Sequence, residues 1–197
     1  MRILIFIFSL CLALQAKAFS PEDLRSFGQS APVQMYLFTS LSCLHCADFH
    51  KKILPTIKKE YADTGKAQII IVDMIQGGAG LLASQVVRCL DSAKADKLES
   101  ELYAHQSRWA KHNMSVTDIK RALAAYAERQ GMTKEQFNLC VNNKELQKAI
   151  IEQQANLARL YDIKGTPTLV MRKGNEVRKW SGVDKQIFNE LKEAFRE

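Results

Sequence analysis

The chain has no apolar run of the ~20 residues that a membrane-spanning helix requires; its longest, Ile3 to Leu14, is about a dozen residues. It has no internal repeat and no low-complexity tract, which leaves an ordinary globular class. Its formal net charge is +7, yet no basic stripe interleaved with stacking aromatics is present. Lysines such as Lys51-Lys52 and Lys58-Lys59 are therefore assigned to solvated helix faces, and nucleic-acid binding is not expected. Cysteine is scarce, five in 197 residues, and only Cys43 and Cys46 stand close together. The missing second close pair argues against structural zinc, which wants four ligands, although His50 lies near enough to be considered.

What is present begins with Met1-Arg2, the apolar run, and Gln15-Ala16-Lys17-Ala18, which puts small residues three before and one before a cut after Ala18. This is the pattern of a secretory signal peptide over residues 1–18. Cys11 would leave with it, since Leu10 is too bulky for lipoprotein processing at that point. About 179 residues then remain, enough for one domain or a domain carrying an insertion, with a charge of about +5. Export puts the other four cysteines in an oxidising compartment, where thiols pair. Four cysteines allow three connectivities; a two-residue loop takes Cys43 and Cys46, leaving Cys89 to Cys140 as the natural second bridge.

Along the chain, Ser20-Pro21-Glu22-Asp23 predicts a short helix running to Gly28. Val33 to Thr39 reads as a buried strand that leads directly into the Cys43 segment. Phe49, Ile53, Ile57 and Tyr61 recur at four-residue intervals, predicting a helix from Leu44 to Tyr61 that Pro55 kinks and Gly65 ends. Ala67 to Asp73 is a second strand whose continuous apolar stretch suits a sheet covered on both faces. Gly77-Gly78-Ala79-Gly80 marks a break. Helical patterns follow at Leu81 to Asp91, Asp96 to Met114, Thr117 to Gln130, Lys134 to Val141 and Lys144 to Tyr161, with caps at Thr117, Thr133 and Gly131. Thr168 to Arg172 and Glu176 to Trp180 form a hairpin, and a closing helix runs from Asp184 to near Phe195. The expected fold is α/β, in the order βαβ, helical block, ββα, with strand–helix–strand forming a right-handed parallel unit.

The chemistry lies in Ser42-Cys43-Leu44-His45-Cys46-Ala47. A strand that turns into a helix at Cys-x-x-Cys sets the first sulfur among unpaired N–H groups at the positive end of the helix dipole. There a thiol pKa can fall from about 8.5 to between roughly 3.5 and 7.5. Cys43 is the expected nucleophile, Cys46 the resolving thiol facing inward, and His45 an exposed neighbour that favours the thiolate further. The other reading is an inert short disulfide. Pro167, after Gly165-Thr166, is either a strand-start proline on a trans bond or a cis proline presenting the Thr166 backbone to an extended substrate; the local pattern leaves both open.

Taken with the signal peptide, the helical insertion and Gly165-Thr166-Pro167-Thr168, the Cys43 segment resembles the DsbA family of periplasmic disulfide oxidoreductases over nearly the whole mature chain. Ser-Leu-Ser-Cys-Leu-His-Cys-Ala-Asp-Phe-His is similar to the alphaproteobacterial-type members, several of which carry a second cysteine pair where Cys89 and Cys140 stand. The resemblance implies a thioredoxin-like domain at 19–76 and 162–197, with an inserted helical domain at 77–161. It implies a cis Pro167, Thr166 as a residue tuning substrate contact and potential, exported substrates with free cysteines, and reoxidation by a DsbB-like membrane partner. It implies no cofactor and no metal. Two departures stand out: Leu44 occupies a position where many relatives have proline, and Leu37 one where many have a buried glutamate that assists proton transfer.

Isomerase or reductase activity is the alternative within the same chemistry, favoured slightly by the threonine before Pro167. Isomerases of this type carry an N-terminal dimerisation module, and only about 14 residues separate Ala18 from the first strand, so a monomeric oxidase is expected. A metal-binding protein using Cys43, Cys46 and a histidine, or a non-catalytic binding module, is the alternative from other classes. Cys89–Cys140 would close a loop worth on the order of 4 kcal/mol, either as a brace or as a pair that shifts the Cys43–Cys46 potential. Trp109, Trp180, Tyr36, Tyr103, Tyr126 and the methionines are expected as packing, and His105 and His112 as surface helix residues.

Overall fold

The structure, a computed structural model, describes residues 24–196. The expected signal peptide and Ser20 to Asp23 lie outside the described residues. A five-stranded sheet runs in the order β1-β3-β2-β4-β5, with β1 Ser26–Phe27, β2 Val33–Thr39, β3 Ala67–Asp73, β4 Thr168–Lys173 and β5 Glu176–Ser181. The central pair β2 and β3 is parallel, in register from Val33 beside Ala67 to Thr39 beside Asp73. β4 is antiparallel to β2 and β5 closes its hairpin. This is the thioredoxin-like arrangement.

Period-two geometry sends alternate residues of the central strands to opposite faces. Met35, Leu37, Ile69, Ile71, Leu169 and Met171 pack one way, onto Phe49, Ile53, Ile57 and Leu191. Tyr36, Phe38, Ile70, Val72 and Val170 pack the other way, with Leu157 and Tyr161 against them. Both faces are covered, which is why β2 and β3 are apolar almost throughout.

The crossover helix is divided. α1 Leu44–Lys52 ends at Ile53, α2 Leu54–Ile57 carries Pro55 in its first turn, and a single π-helical turn spans Lys58–Ala62. Pro55 has no N–H to give to an uninterrupted ladder, and α1 gives way to α2 just before it. Gly65 closes the segment at φ +70, its N–H bonded to the Ala62 carbonyl at 3.0 Å.

Between β3 and β4 lie α3 Gly77–Arg88, α4 Ser92–Ala104, α5 Gln106–Trp109, α6 Val116–Arg129, α7 Lys134–Val141 and α8 Lys144–Leu160. α9 Ile187–Arg196 closes the described chain. The block has its own core around Leu98, Leu102, Trp109, Leu123 and Tyr126, and Leu41, Cys43 and Cys46 belong to that cluster. The two cysteines therefore sit on the seam between the sheet domain and the helical block. A disulfide joins Cys89, the C-cap of α3, to Cys140 in α7, with Cα atoms 6.2 Å apart. Among the described residues no helix is long and apolar enough to cross a membrane.

Four local expectations are corrected. Ser26–Phe27 is an edge strand, paired antiparallel with Ile69 and Ile70, where a helix was expected to reach Gly28. Burial of Leu24 and Phe27 outweighs the capping signal upstream. Gly77 to Gly80 opens α3 instead of breaking the chain, and the helix passes so close to the turn after β2 at Gly80 that a Cβ there would come within 2.9 Å of Ser42 Oγ. The helix expected from Asp96 to Met114 divides at His105, and the Trp109 indole N–H donates to the Leu102 carbonyl at 2.9 Å across the division. α6 is capped by the Ser115 hydroxyl, which accepts from the Asp118 N–H, not by Thr117.

Candidate active site

β2 ends at Thr39, and a turn closed by the Cys43 N–H on the Ser40 carbonyl, 3.0 Å, reverses the chain into α1. Cys43 is the N-cap, with extended backbone angles of −89° and 123° and no side-chain cap. Its carbonyl accepts from the N–H groups of Cys46 and Ala47 at 3.1 and 3.2 Å, while the earlier N–H groups of the helix point out at the sulfur's end. Leu44 is 75% exposed and His45 is exposed beside it.

Cys43 Sγ donates to the Thr166 carbonyl at 3.6 Å, across 123 residues of chain, and the Thr166–Pro167 peptide is cis. Cys46 lies behind, 1% exposed, its sulfur accepting from the Ser40 N–H at 3.4 Å. Burial pushes the Cys46 thiol up to about 11, opposed by the Thr166 and Thr39 hydroxyls and the Ser40 N–H, which favour the thiolate. Both thiols are buried, and they differ in surroundings: Cys43, 9% exposed, faces a backbone carbonyl, and Cys46, 1% exposed, lies behind it.

Sequence reasoning did not identify the side chains that hold these loops together. Gln76, the N-cap of α3, donates to Thr166 Oγ1 at 3.0 Å and accepts at its carbonyl from the Ser42 hydroxyl, also 3.0 Å. From the helical block, buried Gln106 donates to the carbonyls of Leu41 and Cys43 at 2.6 and 2.9 Å. Tyr103, expected only as packing, shares a 2.7 Å hydrogen bond with Thr39 Oγ1. Nothing local marks these residues; only the long-range fold brings them to the cysteines.

Leu37 is buried in the core under α1, and no carboxylate is held at that position. The buried carboxylate of α4, Glu99, pairs instead with Arg25 at 2.8 Å. His50 packs its ring on Tyr103 with centroids 4.7 Å apart, and burial lowers its pKa from the ordinary 6.5. Asp73 and Arg88 form a buried ion pair at 2.6 Å, with the Ser84 hydroxyl on the second carboxylate oxygen. Among the described residues no three His, Cys, Asp or Glu side chains cluster so as to hold a metal ion.

A family model described as thioredoxin matches residues 25–188. The chain belongs to the thioredoxin family. A Rickettsia conorii protein named as a protein-disulfide oxidoreductase is 28% identical over 135 residues, covering 66% of this chain and 46% of that one. The chain thus spans about half the length of the curated relatives it matches. Among solved structures, Wolbachia pipientis alpha-DsbA1 superposes with a TM-score of 0.77 at 23% identity, covering 87% of this chain and 90% of that one. BdbD from Bacillus subtilis, in its oxidised form, gives 0.69 at 22% identity, with 90% and 93% covered. These likenesses are of fold: a thioredoxin-like sheet domain with a helical insertion, as in the DsbA-type structures.

Proposed function

We propose that this thioredoxin-family chain is a thiol–disulfide oxidoreductase that passes the Cys43–Cys46 disulfide to exported proteins bearing free cysteines. The observation that carries the reading is the position of the Cys43 sulfur, at the N-terminal end of α1 and 3.6 Å from the Thr166 carbonyl, with Cys46 enclosed behind it. A substrate thiolate attacks Cys43 Sγ, a substrate–Cys43 disulfide forms, and the electron pair of the broken bond goes to Cys46 Sγ. A second substrate thiolate then attacks the substrate sulfur and releases Cys43. The substrate leaves oxidised and the protein holds two thiols.

In this reading His45 is an exposed tuner of Cys43, and the Thr166-Pro167 backbone pairs with an extended substrate segment beside the sulfur. Residues 77–161 form an inserted domain that Cys89–Cys140 braces, and residues 19–76 with 162–197 form the redox domain. Export after cleavage at Ala18, a periplasmic location, a monomeric state and reoxidation by a DsbB-like membrane partner complete the proposal.

The test is turnover of a reduced, unfolded substrate protein by wild type and by Cys43→Ser, with the Cys43–Cys46 potential measured against glutathione. Loss of all exchange in the variant and a potential near about −120 mV support the oxidase, whereas about −270 mV marks a reductant. Retained turnover without Cys43 overturns the reading.

A further inference from the structure

Resting on the exchange reading above, we infer that Gln76 is a positioning residue that sets substrate preference: its side chain ties the Thr166 loop to the turn that carries Cys43, and so keeps ready the slot in which an extended peptide pairs with Thr166 while its thiolate meets the Cys43 sulfur. Gln76 thereby favours peptide thiols over small thiols, which need no such pairing.

A closed ring of contacts runs through the sulfur. Cys43 Sγ lies 3.6 Å from the Thr166 carbonyl, Thr166 Oγ1 accepts from the Gln76 side-chain amide at 3.0 Å, and the Gln76 carbonyl accepts from the hydroxyl of Ser42, the residue before Cys43, also at 3.0 Å. Other bonds anchor the Thr166 loop to itself and to the end of β5: the Thr168 hydroxyl donates to the Gly165 carbonyl at 2.8 Å, and the Gly182 N–H to the Pro167 carbonyl at 2.9 Å. They shape the loop without joining it to the Cys43 turn; Gln76 makes that join. The segment leading into Gln76 is itself held, by the Met74 N–H on the Thr39 carbonyl at 2.7 Å and the Ile75 N–H on the Gln154 side chain of α8. Gln76 stands at the N-cap of α3, where a short polar side chain would bond the helix's own N–H groups. It makes no cap bond, and its amide is turned to Thr166 instead. Gly80 leaves the room that the Ser42 hydroxyl occupies, since a Cβ there would come within 2.9 Å of it.

The consequence falls on binding. A peptide that adds to Thr166 as one short strand delivers its cysteine to Cys43 only when the Thr166 backbone and the sulfur keep a fixed separation, because strand spacing sets where that cysteine falls. A loop free to move relative to the turn must be ordered at each encounter, at a cost to the binding free energy. The Gln76 bond orders it beforehand. Gln76 is exposed and Thr166 half-buried, so this bond lies at the rim where a substrate arrives. A small dithiol attacks Cys43 Sγ without pairing to Thr166 and gains nothing from the bond. In both reactions the attacking thiolate forms a bond to Cys43 Sγ, the Cys43–Cys46 bond breaks, and the electron pair goes to Cys46 Sγ. Gln76 touches neither sulfur of the breaking bond.

The experiment measures the second-order rates at which the oxidised full chain reacts with a short unstructured peptide carrying a pair of cysteines and with dithiothreitol, for wild type, Gln76→Ala, Thr166→Val and the double variant. Gln76→Ala is expected to slow the peptide reaction about fivefold, the scale of one neutral hydrogen bond, and to leave the dithiothreitol rate at the wild-type value. The double variant is expected to react with the peptide no more slowly than Thr166→Val alone, because Gln76 acts through the Thr166 hydroxyl. A wild-type peptide rate for Gln76→Ala overturns the inference. So does equal slowing with dithiothreitol, which would place the effect at the Cys43–Cys46 bond itself, and so does a further loss in the Thr166→Val background, which would make Gln76 a direct substrate contact. If Cys43→Ser is inert towards both thiols while Gln76→Ala matches wild type with both, the inference fails and the oxidoreductase reading stands. If Cys43→Ser still exchanges, the reading itself fails.

Discussion

Replacing Arg88 by methionine removes one partner of the most enclosed ion pair that the structure describes near the centre. The Arg88 and Asp73 side chains are 8% and 6% exposed, and Nε lies 2.6 Å from Oδ2. Arg88 also donates to Gln153 Oε1 in α8, so the guanidinium joins α3, α8 and the end of β3. With Arg88→Met, the Asp73 carboxylate keeps the Ser84 hydroxyl at 3.3 Å and the more distant charge of Arg25, in a buried site. Breaking such a pair from one side costs about 3–5 kcal/mol, because the remaining charge is buried without compensation. For a chain of this size that lowers the thermal midpoint by roughly 10 °C. The assay is guanidinium unfolding with the Cys89–Cys140 bridge kept oxidised, comparing Arg88→Met with Arg88→Met/Asp73→Leu. The double variant, in which neither charge is buried, is expected to recover most of the loss. A single variant within about 1 kcal/mol of wild type would refute the reasoning, and so would a double variant whose losses simply add.

Three further outcomes can be checked. Replacing both Cys89 and Cys140 by alanine frees a loop with a sequence separation of 51 and is expected to lower stability by about 2–4 kcal/mol in urea; a loss under about 1 kcal/mol would mean the bridge constrains little. Cys46 titrates near 11 in the folded protein against a reference of 9.0, so its folded value is raised. Its contribution is present below the unfolded value and lost as pH rises toward 11: the stability difference between reduced wild type and Cys46→Ala should narrow over that window, and a constant difference contradicts it. His50 has a lowered folded pKa, so its contribution is present at neutral pH and lost as pH falls below 6.5; wild type should weaken more than His50→Phe on acidification, with the His50 ring protons followed by NMR.

Elements with strong local signals were legible in the sequence. β2 and β3 stand where their apolar runs lie, since covered faces on both sides leave few polar positions to blur the ends. α7 begins at the Thr133 capping box because that motif satisfies two backbone donors within four residues. β1 was not legible: two residues carry no period, and their pairing partners lie more than forty positions away. The division of α4 from α5 was hidden too, because the backbone there answers to the Trp109 indole and the Gln106 amide rather than to helix propensity. The candidate site divides the same way. Cys43, His45 and Cys46 are marked by spacing alone, whereas whether Pro167 is cis or trans, and which groups surround Cys46, depends on contacts that spacing does not encode.

Those contacts make the insertion part of the centre. Gln76, at the start of α3, ties the Ser42 turn to Thr166, so the two loops that flank the Cys43 sulfur are held by one side chain and its own carbonyl. Gln106 reaches from the far side of the block to the carbonyls of Leu41 and Cys43, and Tyr103 reaches the end of β2. Gln106 and Tyr103 make these bonds in buried surroundings, and each leaves an unsatisfied backbone or hydroxyl group if the block shifts, whereas Gln76 makes its bonds at the exposed edge. Displacing α3 to α5 from the sheet domain would therefore loosen the turn before Cys43, the carbonyl facing its sulfur and the surroundings of Cys46 together. That coupling gives a physical reason for placing the cysteines on the seam: the turn that carries Cys43 is kept in one geometry by groups from both sides of it.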